Sequence, residues 1–313
     1  MSRYTLRPLE SDTETKLTNY PPLLRRLLLL RGIKDEEDAE KFLRPDWERD
    51  THDPFLMLNM DRAVKRVFEA VRNNEKIALW SDYDMDGIPG AVVLFDFFKV
   101  IGYENVVHYT PHRNKDGFGL NKGGIDALSK QKAKLMITID CGIADAELVA
   151  YANSKGVETI VTDHHLPPSE VPQAYAILNP KQDECQYPEK MLAGAGVAFK
   201  FVQALVRSLD DLKEVKHPKE GWEKWLLDMV GMATVADMVP LTGENRALTF
   251  FGIVVLRKSR RLGLHALLKR ARANQRTLTE DDVAFTIAPR VNAASRMGHA
   301  GEAFALLTTE DAV

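Results

Sequence analysis

Apolar residues recur along this chain in two periods, and the change from one to the other organises it. Near the N-terminus, a polar stretch over 1–19 is expected to be loosely held. Leu23, Leu24, Leu27, Leu28 and Leu30 then follow Pro21 and Pro22 at helical spacing and should stop at Gly32. A second helix is expected from Asp35, a plausible N-cap, to just before Pro45, and a third over Ala63, Val64, Val67, Phe68 and Val71. Beyond these, short continuous apolar runs alternate with helical patterns. Lys76 to Trp80, Val106 to Thr110, Leu135 to Ile139 and Val157 to Val161 read as strands. Ala91 to Phe98, Ile125 to Lys130 and Ala144 to Ser154 read as helices. Such alternation predicts βαβ units and a parallel sheet with right-handed crossovers. Pro167, Pro168, Pro172 and Pro180 mark a loop-rich passage. Helices are expected after it at Ala195–Leu209, Trp222–Ala236, Asn245–Leu256 and Leu264–Ala273, and from Glu302. The fold class is α/β: a parallel sheet flanked by helices, with a small helical lead-in over 1–60 and a mostly helical C-terminal part.

The polar residues that end the strands carry the chemistry. After the first strand comes Asp82-Tyr83-Asp84-Met85-Asp86-Gly87, three carboxylates at alternate positions. An extended segment would send them to one side, where they repel unless protons or cations neutralise them. Asp140 ends the third strand, and Asp163-His164-His165 follows the fourth. Asp237 lies in an apolar setting, Thr234 to Pro240, where an unpaired carboxylate is costly. Any one element reads as readily as a solvated turn, a helix cap or a structural histidine pair. Together, on one edge of a parallel sheet, they read as a divalent-metal site. Oxygen donors with an imidazole suit Mn²⁺ or Mg²⁺, and there are enough for two ions sharing an aspartate.

Composition narrows the picture only slightly. With 45% hydrophobic and 28% charged residues among 313, the chain has a soluble, globular profile. A net charge of −3 does not advertise nucleic-acid binding, although a basic stripe runs through Arg257, Lys258, Arg260, Arg261, Lys269, Arg270, Arg272 and Arg276. Cys141 and Cys185 form no paired motif, which argues against a zinc ribbon or disulfide framework and suits a reducing cytoplasm. No signal peptide or membrane-length apolar run is read.

Taken together, Asp82 to Gly87, Asp140-Cys141-Gly142, Thr162 to His165 and Asp237 resemble the four motifs of the DHH phosphoesterase superfamily. Within it, the chain resembles the single-strand-specific DNA exonucleases of the RecJ type. Pro111-His112-Arg113, Asp116 to Leu120, Leu192 to Phe199 and Pro289 to Gly298 are similar to that family as well. The resemblance implies a metal-dependent 5′→3′ exonuclease on single-stranded DNA, serving repair and recombination through two-metal phosphodiester hydrolysis. It implies Asp84, Asp86, Asp140, His164 and Asp237 as metal ligands, with Asp140 as the bridge. Asp82 and Asp163 would be ligands or would orient them, and His165 would meet the scissile phosphate. Arg113, Arg290, Asn292 and Arg296 are its candidates for substrate binding. Single-strand-binding protein and a helicase are the partners it implies, with no membrane involved.

Met85, Pro89 and Ser295 stand where the family usually has a small residue, often Thr, and Gly. The larger departure is length. DHH character is expected over 61–313, without the family's C-terminal domains. Two competing readings remain: a phosphodiesterase for short oligonucleotides or cyclic dinucleotides, and a non-catalytic replication scaffold.

Overall fold

The four apolar runs all become strands: β1 (Lys76–Ser81), β2 (Val106–Tyr109), β3 (Ala133–Ile139) and β4 (Glu158–Thr162). A fifth, β5 (Ala176–Leu178), lies inside the proline-rich passage, where three apolar residues were too few to show as a strand. The computed structural model describes Thr5, residues 7–9 and residues 16–311, so much of the polar stretch expected to be loosely held lies outside the described residues.

Contacts divide the chain into two compact units, with the boundary between Thr51 and His52. The first contains α1 (Pro22–Leu29), α2 (Glu36–Leu43) and the short α3 (Trp47–Asp50). The Asp35 carboxylate accepts the Asp38 N–H and caps α2, while Leu28, Leu29, Ile33 and Ala39 form a small core. Residues from His52 onward belong to the larger unit. There Lys200 donates to the His52 carbonyl at 2.7 Å, and Glu244 accepts the His52 N–H at 3.0 Å.

In the larger unit all strands pair in parallel, in the order β2–β1–β3–β4–β5. α4 (Met60–Arg72) leads into β1, and the crossovers are α5 (Gly87–Val100), α6 (Lys122–Lys130) and α7 (Ala146–Ser154). One face of the sheet buries Ala78, Trp80 and Met136 against Ile125, Leu128, Val149 and Ala152 of α6 and α7. α4, α5 and α8 (Gly194–Arg207) contact the strands as well, and α5 and α8 contact each other. β1, β3 and β4 are buried almost throughout, as expected for central strands of a parallel sheet.

This strand order reverses direction between β1 and β3, and such a switch point opens a crevice at the carboxyl ends of the strands. The first aspartate after each strand stays in the ladder. Asp82, Asp140 and Asp163 donate their backbone N–H groups to Ile139, Thr162 and Leu178 at 3.1, 2.9 and 3.0 Å. Their side chains are thereby fixed along one edge.

The C-terminal part is helical: α9 (Leu227–Ala236), preceded by a 3₁₀ turn from Trp222, then α10 (Gly243–Leu256) and α11 (Leu262–Ala271). After these come α12 (Glu280–Asp282), a π-helical turn (Val283–Ile287), α13 (Ala288–Met297) and α14 (Gly301–Thr308). Among the described residues, no helix is long and apolar enough to cross a membrane.

Candidate metal centre

The carboxylates converge, but not by the extended geometry that the alternation suggested. β1 ends at Ser81 and the chain turns at once. The Asp84 carboxylate accepts the N–H groups of Asp86 and Gly87 at 2.8 and 3.1 Å, which closes the turn and starts α5. Gly87 is required there, because a Cβ would sit 2.7 Å from the Asp82 carbonyl oxygen. The turn sends the three aspartates to two places. Asp82 and Asp84 group with Asp140, whereas Asp86 groups with His164 and Asp237.

A third group joins Asp140, His164 and His165. Within each group the donor atoms lie within 4.8 Å of one another. Asp140 and His164 each belong to two groups and tie the cluster together. Asp140 takes a left-handed backbone (φ +60°), uncommon for a residue other than glycine and a strain that functional sites tolerate.

α8 supplies the opposite wall. Its first two N–H groups, of Gly194 and Ala195, donate to the two oxygens of Asp86 at 2.6 and 2.7 Å. Free N–H groups at a helix start favour negative charge. Close approach needs glycine, since a Cβ on Gly194 would lie 2.7 Å from the Asp140 Cβ. The Leu192 carbonyl accepts from His164 Nδ1 at 2.9 Å, so that nitrogen carries the hydrogen. Nε2 then faces the carboxylates, 3.1 Å from Asp140 Oδ1, 3.6 Å from Asp86 and 3.7 Å from Asp237.

Asp163 is occupied differently. It accepts the N–H groups of Ile143, His164 and His165 and, at 2.7 Å, the Nδ1 hydrogen of His165. With so many donors already bound, it holds the two histidines in place and lies outside the three donor groups. Asp82 lies inside one of them. The expectation left both residues as ligands or orienting groups, and the geometry separates them.

Electrostatics records the crowding. Burial, then the neighbouring Asp84, pushes Asp82 up to about 7. Burial raises Asp86 and Asp140 well above the carboxylate range, and raises Asp237 to about 6. His164 is pulled down to about 4, first by burial and then by His165. His165 goes up because it donates to Asp163. Asp163 is held low: burial is the largest single effect and acts against its charge, but the His165 hydrogen bond, the His165 charge and the backbone N–H donors together outweigh it.

These residues fit a cation. Buried Asp82 Oδ1 and Asp140 Oδ1 have no hydrogen-bond partner. With His164 neutral, its Nε2 lone pair faces Asp140 Oδ1, and a positive ion between donors of this kind relieves the repulsion. Neither thiol competes. Cys141 is buried with its thiol pushed up, and Cys185 is buried too.

The remaining candidates divide. The Arg113 guanidinium lies 4.9 Å over the Tyr83 ring, beside the cluster. Asn292 and Arg296 share a cavity wall with Ala236 and Met238, which flank Asp237. Arg290 does not: it donates back to the Thr286 carbonyl of the preceding π-helical turn and lines the side of α13 toward Glu302 and Leu306. In the basic stripe, Arg261 is not a surface charge, because it bridges Asp96 (2.7 Å) and Asp228 (2.9 Å) internally. Sequence reasoning gave no role to Leu192, Gly194 or Ala195. The small residues of Leu192 to Gly196 were the visible signal, though nothing in them says which carboxylate they receive.

A doubly wound sheet with carboxylates and imidazoles gathered at its switch point defines an α/β metal-site domain. Residues 76–234 match the DHH family, N-terminal domain, and the chain belongs to that family. It is 37% identical over 297 residues to the single-stranded-DNA-specific exonuclease RecJ of Bacillus subtilis, covering 95% of this chain and 36% of that protein. Among solved structures it is similar to exonuclease RecJ bound to manganese, with 33% identity and a TM-score of 0.70 over 82% of this chain and 62% of that one. It is also similar to RecJ from Thermus thermophilus in complex with Mn²⁺, with 30% identity and a TM-score of 0.72 over 94% and 40%. The chain spans about a third to a half of the length of the curated relatives it matches.

Proposed function

We propose that this chain carries out metal-dependent hydrolysis of single-stranded DNA, releasing nucleotides in the 5′→3′ direction with two Mn²⁺ or Mg²⁺ ions. The observation that carries the reading is the cluster built on Asp140 and His164, with buried carboxylate oxygens left without partners. The similarity to RecJ, solved with manganese, supports the same substrate class. Asp82, Asp84, Asp86, Asp140, His164 and Asp237 would hold the ions. Asp140 would be the residue shared between them, since it belongs to two of the donor groups and, unlike His164, offers two oxygens. When bound, two such ions would activate water and offset charge on the phosphate.

The chain's own residues do the rest. Asp163 accepts the Nδ1 hydrogen of His165 and stabilises its imidazolium, whose Nε2–H on a half-exposed ring would donate to a phosphate oxygen. The raised pKa of His165 favours that protonated, donating form. Arg113, held over Tyr83, presents a planar fork suited to a 5′ phosphate, and Arg296 and Asn292 extend the contact. Single-strand-binding protein and a helicase are fitting partners for such an activity in a reducing cytoplasm.

The test is Mn²⁺-dependent release of mononucleotides from 5′-phosphorylated single strands labelled at either end, beside Asp140→Ala. Release from the 5′ end, lost in the variant, is the expected result. Equal activity in the variant would overturn the site. Preference for dinucleotides over long strands would favour a short-oligonucleotide phosphodiesterase instead.

A further inference from the structure

Two backbone irregularities meet beside Asp237. Met238, the next residue, takes a left-handed conformation (φ +59°) and leaves its side chain 87% exposed. Opposite it, the π-helical turn Val283–Ile287 carries Phe285, which is 76% exposed. Both line one cavity of about 560 Å³, with Pro289, Asn292, Arg296 and Met297 completing its walls. Met297 is 89% exposed. Met238, Phe285 and Met297 thus gather three exposed apolar side chains in one cavity next to Asp237 of the donor cluster. π-helical turns and strained non-glycine residues concentrate where function requires them. The volume falls within the range of small-ligand sites, roughly 300–1,000 Å³.

We propose that this cavity seats one unpaired nucleobase of the strand being hydrolysed, stacked on Phe285 and flanked by Met238 and Met297. The assignment rests on the nuclease reading above. Three features favour a base over another occupant. The cavity adjoins the cluster along the chain, because Ala236 and Met238, the residues on either side of Asp237, line it. Arg296 supplies a positive charge in the same wall for the adjoining phosphate. An aromatic face with flexible thioethers accepts any of the four bases, as hydrolysis without sequence preference requires. Phe285 is thus a positioning residue: it holds the strand so that the next phosphodiester lies at the carboxylates. A base paired in a duplex cannot enter, so the cavity contributes to selection of single strands.

The test uses the full chain, Phe285→Ala and Phe285→Trp. Loss of one stacked base should raise KM roughly tenfold in Phe285→Ala with kcat changed by less than about twofold, while Phe285→Trp retains the original KM. Strands carrying one abasic site, moved along the first several nucleotides, should slow the unaltered chain at one position, and Phe285→Ala should lose that discrimination. Base stacking should also quench the emission introduced by Phe285→Trp. Hydrolysis with unchanged KM and an unchanged abasic profile in Phe285→Ala would overturn the cavity assignment alone. No hydrolysis by the unaltered chain, and no response from Phe285→Trp, would overturn it together with the nuclease reading.

Discussion

At the scale of single residues, the centre is a set of acids held close at the expense of their charge. Asp82 and Asp237 titrate near 7 and 6 in the folded chain, against 3.8 without its surroundings. Between those limits the folded form keeps protons that the unfolded form has released. The stabilisation tied to them is therefore complete below about pH 4 and is lost as pH rises through 6 and 7. Bound Mn²⁺ would take the place of the protons and relieve the repulsion. The rise in melting temperature on adding Mn²⁺ should accordingly be small near pH 5 and grow toward pH 8. Thermal melts across that range, with and without the ion, provide the check, and a Mn²⁺ effect independent of pH would contradict the assignment of these carboxylates as ligands.

At the scale of elements, the start of α8 decides the geometry. Gly194 lets the helix approach Asp140, and its N–H reaches Asp86. Gly194→Ala should therefore destabilise the chain by about 1–3 kcal/mol through overpacking and should weaken Mn²⁺ binding. Two residues along, a Cβ on Gly196 would meet only Leu192 at an ordinary 3.5 Å. Gly196→Ala should be neutral, or stabilise by up to about 1 kcal/mol through helix propensity. Urea unfolding and calorimetric titration with Mn²⁺ separate the two variants. Pro89 illustrates the same dependence on position. It stands at the third residue of α5, in the first turn, where the fixed φ of proline is compatible with a helix and its ring meets no preceding turn.

At the scale of the whole molecule, the C-terminal helices are secured to the sheet domain by a partly buried charge cluster. Arg261, preceding α11, pairs with Asp96 on α5 and Asp228 on α9. Removing the guanidinium strands the buried Asp228 and the partly buried Asp96. Arg261→Met should lower stability by roughly 3–5 kcal/mol, whereas the Mn²⁺ affinity of the folded fraction should stay near its original value. Equilibrium unfolding measures the first quantity and calorimetry the second. Lys258, Lys269, Arg270, Arg272 and Arg276, by contrast, are exposed members of the stripe that could contribute to the salt dependence of strand binding.

Much of the fold was legible in the sequence because its strands are apolar runs bounded by polar residues, and burial on both faces requires such runs. β5 was not legible, since three residues between prolines carry no period. α13 was passed over as well: Pro289 resembles a break, yet it sits in the first turn, where proline is tolerated. The identity of the acids was also readable, because paired carboxylates at successive strand ends are too costly without a counter-charge. Their division of labour was not. Whether Asp82 or Asp163 faces the cluster depends on which backbone N–H groups reach each carboxylate. Likewise, Arg290 and Arg296 share a motif but lie on different sides of one helix. The sequence by itself determined the sheet, the acids and the imidazoles, because local pattern and charge repulsion act through neighbours along the chain. Only the tertiary structure decided the two groups of the first motif, the receiving end of α8 and the cavity at Phe285, because these depend on contacts between residues distant in sequence.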